Sequence, residues 1–153
     1  MSDNELPTVN NIYHVKPSDI IARLAEKLKS SYTEINPPKE IRFWKTSCSK
    51  EFPPEDPERF WYVRSASLLR KLAMHKIVGV GKLRKMYSRV KKKGVQPSKS
   101  QKASGGIIRR CLQQLERAGL VETVEHEGRK LTAEGQSFID KTAHEIIRES
   151  DVF

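Results

Sequence analysis

From Pro17 onward the apolar residues recur with a helical period. Ile20, Ile21, Leu24, Ala25 and Leu28 fall on one side, and Arg23, Glu26, Lys27 and Lys29 on the other. That pattern predicts an amphipathic helix, with Pro17-Ser18-Asp19 as its start. The period then breaks. Residues 30–57 hold five prolines around Ile41, Phe43 and Trp44, a composition that suits neither a helix nor a central strand. An ordered loop laid over the core is expected there. The period returns in ERFWYVRSASLLRKL, residues 58–72. Trp61, Tyr62, Ala66, Leu68, Leu69, Leu72 and Ala73 share one broad arc, while Arg64, Ser67, Arg70 and Lys71 share the opposite one with Phe60 among them. Ser65 lies within the apolar arc, where a small side chain lets a neighbouring helix approach closely.

Gly79 to Tyr87 reads as a small helix with Val80, Leu83, Met86 and Tyr87 inward. The following run, SRVKKKGVQPSKSQKASGG, has hardly any apolar residues. It cannot bury a core, so residues 88–104 are expected to form an exposed, mobile basic loop. Ile107 to Ala118 is again amphipathic and ends at Gly119. Its inward arc is Ile107, Ile108, Cys111, Leu112, Leu115 and Ala118; its outward arc is Arg109, Arg110, Gln113, Gln114, Glu116 and Arg117. Leu120 to Glu125 alternates, His126-Glu127-Gly128 supplies a turn and Arg129-Lys130-Leu131 returns, which predicts a short β-hairpin. Thr132 then caps a last helix in which Phe138, Ile139, Thr142, Ala143 and Ile146 share a face.

Helix, short helix, helix and hairpin, with LxxLExxGLV and GRxLTxxG across the end, give the layout of a winged helix. The expected fold is mainly α: a winged-helix-like helical domain with one short β-hairpin. Residues 1–16 form an N-terminal arm, residues 17–148 the domain with its basic loop, and residues 149–153 a tail.

Charge sharpens this picture. The chain of 153 residues carries a net charge of +10. From Arg59 to Leu115 there are 16 of the 29 Lys and Arg and none of the 19 Asp and Glu. Ion-paired surfaces mix the signs, so this segregation marks an anion-binding face. Cys48 and Cys111 belong to no metal-binding or redox motif, and reduced thiols in an intracellular protein are expected. No secretory signal or membrane-length apolar run is present in the sequence, so no membrane partner is expected.

Catalytic chemistry finds no constellation. His14, His75, His126 and His144 lie in unrelated settings, and no metal site or cofactor is expected. Gly79-Val80-Gly81-Lys82 is not a phosphate loop, because Lys76 and Leu83 stand where that motif needs Gly and Ser or Thr. No small-molecule substrate is expected. Trp44, Phe52 and Trp61 are expected in the core. The basic residues read as a clamp for phosphates: Arg64, Ser67, Arg70 and Lys71 on the aromatic helix, Lys82 and Lys85 on the short one. Arg89, Lys91, Lys92, Lys93, Lys99 and Lys102 follow in the loop, with Arg109 and Arg110 on the later helix. Lysines give salt-dependent affinity for a phosphate backbone, and arginines fork onto phosphate or stack on bases.

Five stretches, read in order, are KTxxxKExxPxxxxxFWYVRxASLLRKL, VGVGKLRKMY, GVQPSK, ASGGIIRRCLQQLExAGLVE and GRKLTAEGQSFIDKTAHEI. Over residues 15–147 the chain resembles the e-type small-subunit ribosomal protein numbered nineteen. The resemblance implies a helical fold around a winged-helix-like core, a place in the head of the small subunit against ribosomal RNA, and a role in subunit maturation. It also implies neighbouring ribosomal proteins of the head as partners, and RNA contact by Arg64, Arg70, Arg109 and Arg110. The expected function is therefore that of a structural, non-enzymatic constituent of cytoplasmic ribosomes, with a nucleolar assembly stage in a eukaryote. The alternative is a winged-helix regulator reading duplex DNA. The wing argues against that alternative, since Glu122, Glu125 and Glu127 repel a phosphate backbone.

Overall fold

A computed structural model describes residues 11–152. A 3-10 turn at Asn11–Tyr13 precedes helix α1 (Pro17–Ser31), and a second turn at Lys39–Phe43 precedes α2 (Pro57–Met74). Strand β1 (Ile77–Val78) and helix α3 (Val80–Met86) follow, then strands β2 (Arg89–Lys93) and β3 (Gln96–Gln101). Helix α4 (Gly105–Arg117), strands β4 (Val121–Val124) and β5 (Gly128–Leu131) and helix α5 (Ala133–Asp151) complete the chain. The fold is mainly α and winged-helix-like, as the periodicities predict.

Each helix begins where local chemistry favours it. Pro17 occupies the first turn of α1, where its missing N–H costs nothing. The Asp56 carboxylate caps α2 by accepting from the Arg59 N–H at 3.1 Å. The predicted apolar faces meet in one core: Ile20, Leu24 and Leu28 from α1, Trp61, Leu68, Leu69 and Leu72 from α2, Ile108, Leu112 and Leu115 from α4, and Ile139 and Ala143 from α5. Ser65 and Thr142 are buried among them, Thr142 donating to the Phe138 carbonyl at 2.8 Å. Trp61 is fully buried, and its indole N–H donates to Gln114 Oε1 at 2.8 Å. Truncation of such a side chain to Ala costs roughly 3–5 kcal/mol.

The end of the domain explains the GLV…GRKLTAEG pattern. Gly119 closes α4 with φ +79°, a left-handed conformation that favours glycine. Thr132 then works twice: its hydroxyl donates to the Gly119 carbonyl at 2.7 Å and accepts from the Gly135 N–H at 3.1 Å. A Cβ on Gly135 would lie 2.2 Å from the Leu120 carbonyl oxygen, so the start of α5 fits against Leu120 only without a side chain.

Several expectations are corrected. The stretch 88–104, read as a mobile loop, is a second antiparallel hairpin, β2–β3, with Lys91 opposite Lys99 and a bulge between Lys91 and Lys93. It escaped the periodicity because no core lies beneath it to impose alternation. The predicted hairpin is a three-stranded antiparallel sheet in the order β1-β5-β4, because Ile77 and Val78 pair with Lys130 and Arg129. The part of the expected arm from residue 11 onward is docked, with Ile12 and Val15 buried; residues 1–10 lie outside the described residues. Of the expected tail, residues 149–151 are the end of α5, where Glu149 pairs with Arg23 at 2.5 Å; Phe153 lies outside the described residues. Of the loop's apolar cluster, Ile41 is buried, Trp44 half-buried and Phe43 76% exposed. Phe52, also expected in the core, is exposed.

Candidate nucleic-acid interface

The basic arc of α2 is organised by a residue from the next helix. Tyr87, at the end of α3, shares a 2.6 Å hydrogen bond with Ser67 and lies 4.2 Å from the Arg64 guanidinium. Phe60 is on the other flank of that guanidinium at 5.1 Å, and the Lys71 ammonium lies 5.9 Å from the Tyr87 ring. These are cation–π distances. Arg64 is therefore half-buried between two rings rather than freely exposed as its position on the arc predicts. Burial pulls its pKa below the ordinary arginine value, with Tyr87 opposing. Burial likewise raises Tyr87 above its ordinary value, so the phenol stays protonated at neutral pH. The Cys111 thiol beneath them is pushed up to about 12 by burial and is inert at neutral pH. Arg70 is half-buried, and its Nε has no hydrogen-bond partner.

The remaining positive charge continues through contacts. On α3, Lys82 and Lys85 are exposed, while Arg84 Nε donates to the Ala103 carbonyl at 2.8 Å and returns the chain to the foot of the basic hairpin. Ser47 Oγ donates to the Lys102 carbonyl at 3.1 Å, and the Ser104 N–H donates to the Thr46 carbonyl at 2.8 Å, pinning that foot to the proline-rich loop. Along the hairpin Arg89, Lys92, Lys93 and Lys99 are exposed, as is Lys102 at its foot. Lys91 is half-buried, its ammonium donating to the Cys48 carbonyl at 3.3 Å. Arg109 and Arg110 are exposed on α4, and the Arg110 guanidinium lies 4.3 Å from the Trp44 ring.

Among the described residues, the ion pairs are Arg23–Glu149, Lys27–Glu145 and Lys130–Glu122. None involves a cation between Arg59 and Leu115. The structure thus gathers Arg64, Ser67 and Lys71 around Tyr87, and leaves Lys82, Lys85, Arg89, Lys92, Lys93 and Lys99 standing in solvent. Sequence reasoning missed Tyr87, Trp44 and Arg84. The pattern of the short helix turns Tyr87 inward and residue type alone puts Trp44 in the core, while Arg84 acts through backbone contacts that no spacing announces.

Comparison with known proteins decides the family. The family model described as Ribosomal protein S19e matches residues 11–149. The chain belongs to the S19e family of ribosomal proteins. The small ribosomal subunit protein eS19 of Haloarcula marismortui is 44% identical over 145 residues, covering 92% of this chain and 93% of that protein. Its counterpart in Aeropyrum pernix is 43% identical over 135 residues, 87% of this chain and 88% of that one. The eS19A protein of Saccharomyces cerevisiae is 44% identical over 107 residues, 70% of this chain and 74% of the yeast protein. The S19e match takes in the docked turn at Asn11 and nearly all of α5, so the whole described core belongs to the family unit.

Proposed function

We propose that this S19e protein is a structural constituent of the small ribosomal subunit. It sits in the subunit head among neighbouring ribosomal proteins and grips ribosomal RNA through its basic face. It supports subunit assembly and maturation of the precursor RNA, and its role is architectural rather than catalytic. It resides on cytoplasmic ribosomes, with a nucleolar assembly stage where the host is eukaryotic.

The observation that carries this reading is the run of 16 cations from Arg59 to Leu115 with no acid within it and, among the described residues, no ion pair to any of them. Charges left unpaired by their own protein repel one another, and a phosphate backbone removes that cost. The DNA-regulator alternative gains no support: the comparisons lead to ribosomal proteins, and Glu122, Glu125 and Glu127 on the wing are all exposed. Sucrose-gradient fractionation of a cell lysate at moderate salt tests the reading. The protein is expected to sediment with small subunits and to leave them only at high salt. Sedimentation as a free protein at moderate salt would sink it.

A further inference from the structure

Between Trp44 and the foot of the basic hairpin lies a hollow of about 460 Å³. Phe43, Trp44, Lys45, Arg84, Lys102 and Ser104 line it. Its charge differs from that of three other concavities among the described residues. The groove between α1 and α2 carries Glu26, Asp56 and Glu58, and the one under the proline-rich loop carries Glu40, Glu55 and Glu58. Even the hollow beside the hairpin strands has Glu51 in its wall. At Trp44 the charged lining is three cations and no carboxylate.

The aromatic side of this hollow is equally specific. Trp44 is held at the end of the 3-10 turn by its N–H donating to the Ile41 carbonyl at 3.1 Å. The Arg110 guanidinium lies over its ring at 4.3 Å, and Phe43 beside it is 76% exposed. A free phosphate would satisfy the cations and leave the aromatic surface wet. An apolar side chain of a partner protein would do the reverse. A nucleotide whose base is not paired has both a flat apolar body and a phosphate, and the volume lies within the range of small-ligand pockets.

We propose that this hollow receives one unpaired nucleotide of the RNA, its base against Phe43 and Trp44, the latter ring backed by Arg110, and its phosphate on Lys45, Arg84 and Lys102. The proposal rests on the RNA-binding reading above and gives it a preference: single-stranded RNA here, duplex elsewhere on the face.

The test measures binding of the full-length protein to a short single-stranded RNA and to an RNA duplex by fluorescence anisotropy. Trp44→Leu is expected to weaken single-strand binding roughly tenfold, the effect of losing one stacked base. Duplex binding, carried by phosphate contacts, should change by less than about twofold. Trp44→Phe should retain most of the single-strand affinity, and Arg110→Lys should lose it selectively because an ammonium keeps the charge but not the plane. If Trp44→Leu unfolds by circular dichroism, Phe43→Ala decides, since that ring already stands in solvent. Equal loss for both RNAs, or no loss for either, overturns the proposal. A parent protein that binds duplex alone also overturns it and leaves the RNA-binding reading intact. Failure of the parent to bind either RNA would remove both.

Discussion

The two hairpins of this domain are built from opposite materials. The β4–β5 wing is extended by β1 into a sheet that lies against the core, with Val121 buried and Gly128 pressed against the Val78 backbone. Its solvent side carries Glu122, paired with Lys130 at 2.9 Å. The β2–β3 hairpin pairs only with itself, exposes Val90 and Val95, and sets Lys91 directly opposite Lys99. Like charges at directly opposite positions destabilise a hairpin. The wing is held by what lies beneath it, and the basic hairpin is suited to what arrives from outside. In this domain the wing is packed into the core, and the unpaired positive charge lies on an added hairpin and the helices on either side of it, which is the face proposed to meet RNA.

The sharpest way to break this contrast is to change one glycine in each hairpin. At Gly128 the backbone has φ +134°, and a Cβ would lie 2.6 Å from the Val78 carbonyl carbon and oxygen. Gly128→Ala is expected to cost roughly 3 kcal/mol or more and to unseat β1, read as a fall in the urea midpoint. At Gly94 φ is +63° and no atom approaches within 4 Å. Gly94→Ala should cost about 1 kcal/mol, felt only within the hairpin and visible as faster amide exchange there.

Next in size come the charge changes. Arg109→Glu with Arg110→Glu should leave the circular dichroism spectrum unchanged, because both side chains are exposed, and should abolish incorporation into small subunits on a gradient. Replacing Lys92, Lys93 and Lys99 with Gln should lower the slope of log affinity for RNA against log salt by about 2, if each cation meets one phosphate. Thermal stability should hold or rise slightly as repulsion within the hairpin is relieved. The smallest effect belongs to the wing. Glu122→Gln breaks an exposed ion pair, so Tm should stay where it is and RNA affinity should not fall.

Much of this fold was legible because helices pack by a period that the chain displays. The buried faces of α1, α2, α4 and α5 follow the predicted arcs closely, and Thr132 caps α5 as its side chain suggests. What was hidden depends on partners far away in sequence. The two residues of β1 are too few to show alternation; they are a strand only because β5, 50 residues later, supplies hydrogen bonds. The basic hairpin has no buried side, and its local signal was limited to Gly94 between stretches holding Val90 and Val95. At the candidate site, charge segregation marks the segment whose cations have no acidic partner among the described residues, but the arc could not tell a solvated arginine from Arg64, held between two rings. Nor could residue type reveal that one tryptophan is fully buried and the other half-buried with Arg110 over its ring.

Gln114 looks like a surface residue by angle, yet its amide is engaged at both ends: Oε1 accepts from the Trp61 indole and Nε2 donates to the Asn36 carbonyl at 2.7 Å. It joins α2, α4 and the proline-rich loop at one point. A helix that turned by a single residue would swing its side chains through about 100°, and this amide forbids that roll. The compass bearing of Arg109 and Arg110 is thus locked by a side chain on the same helix that points elsewhere, in the way a dowel keeps a shaft from turning in its seat.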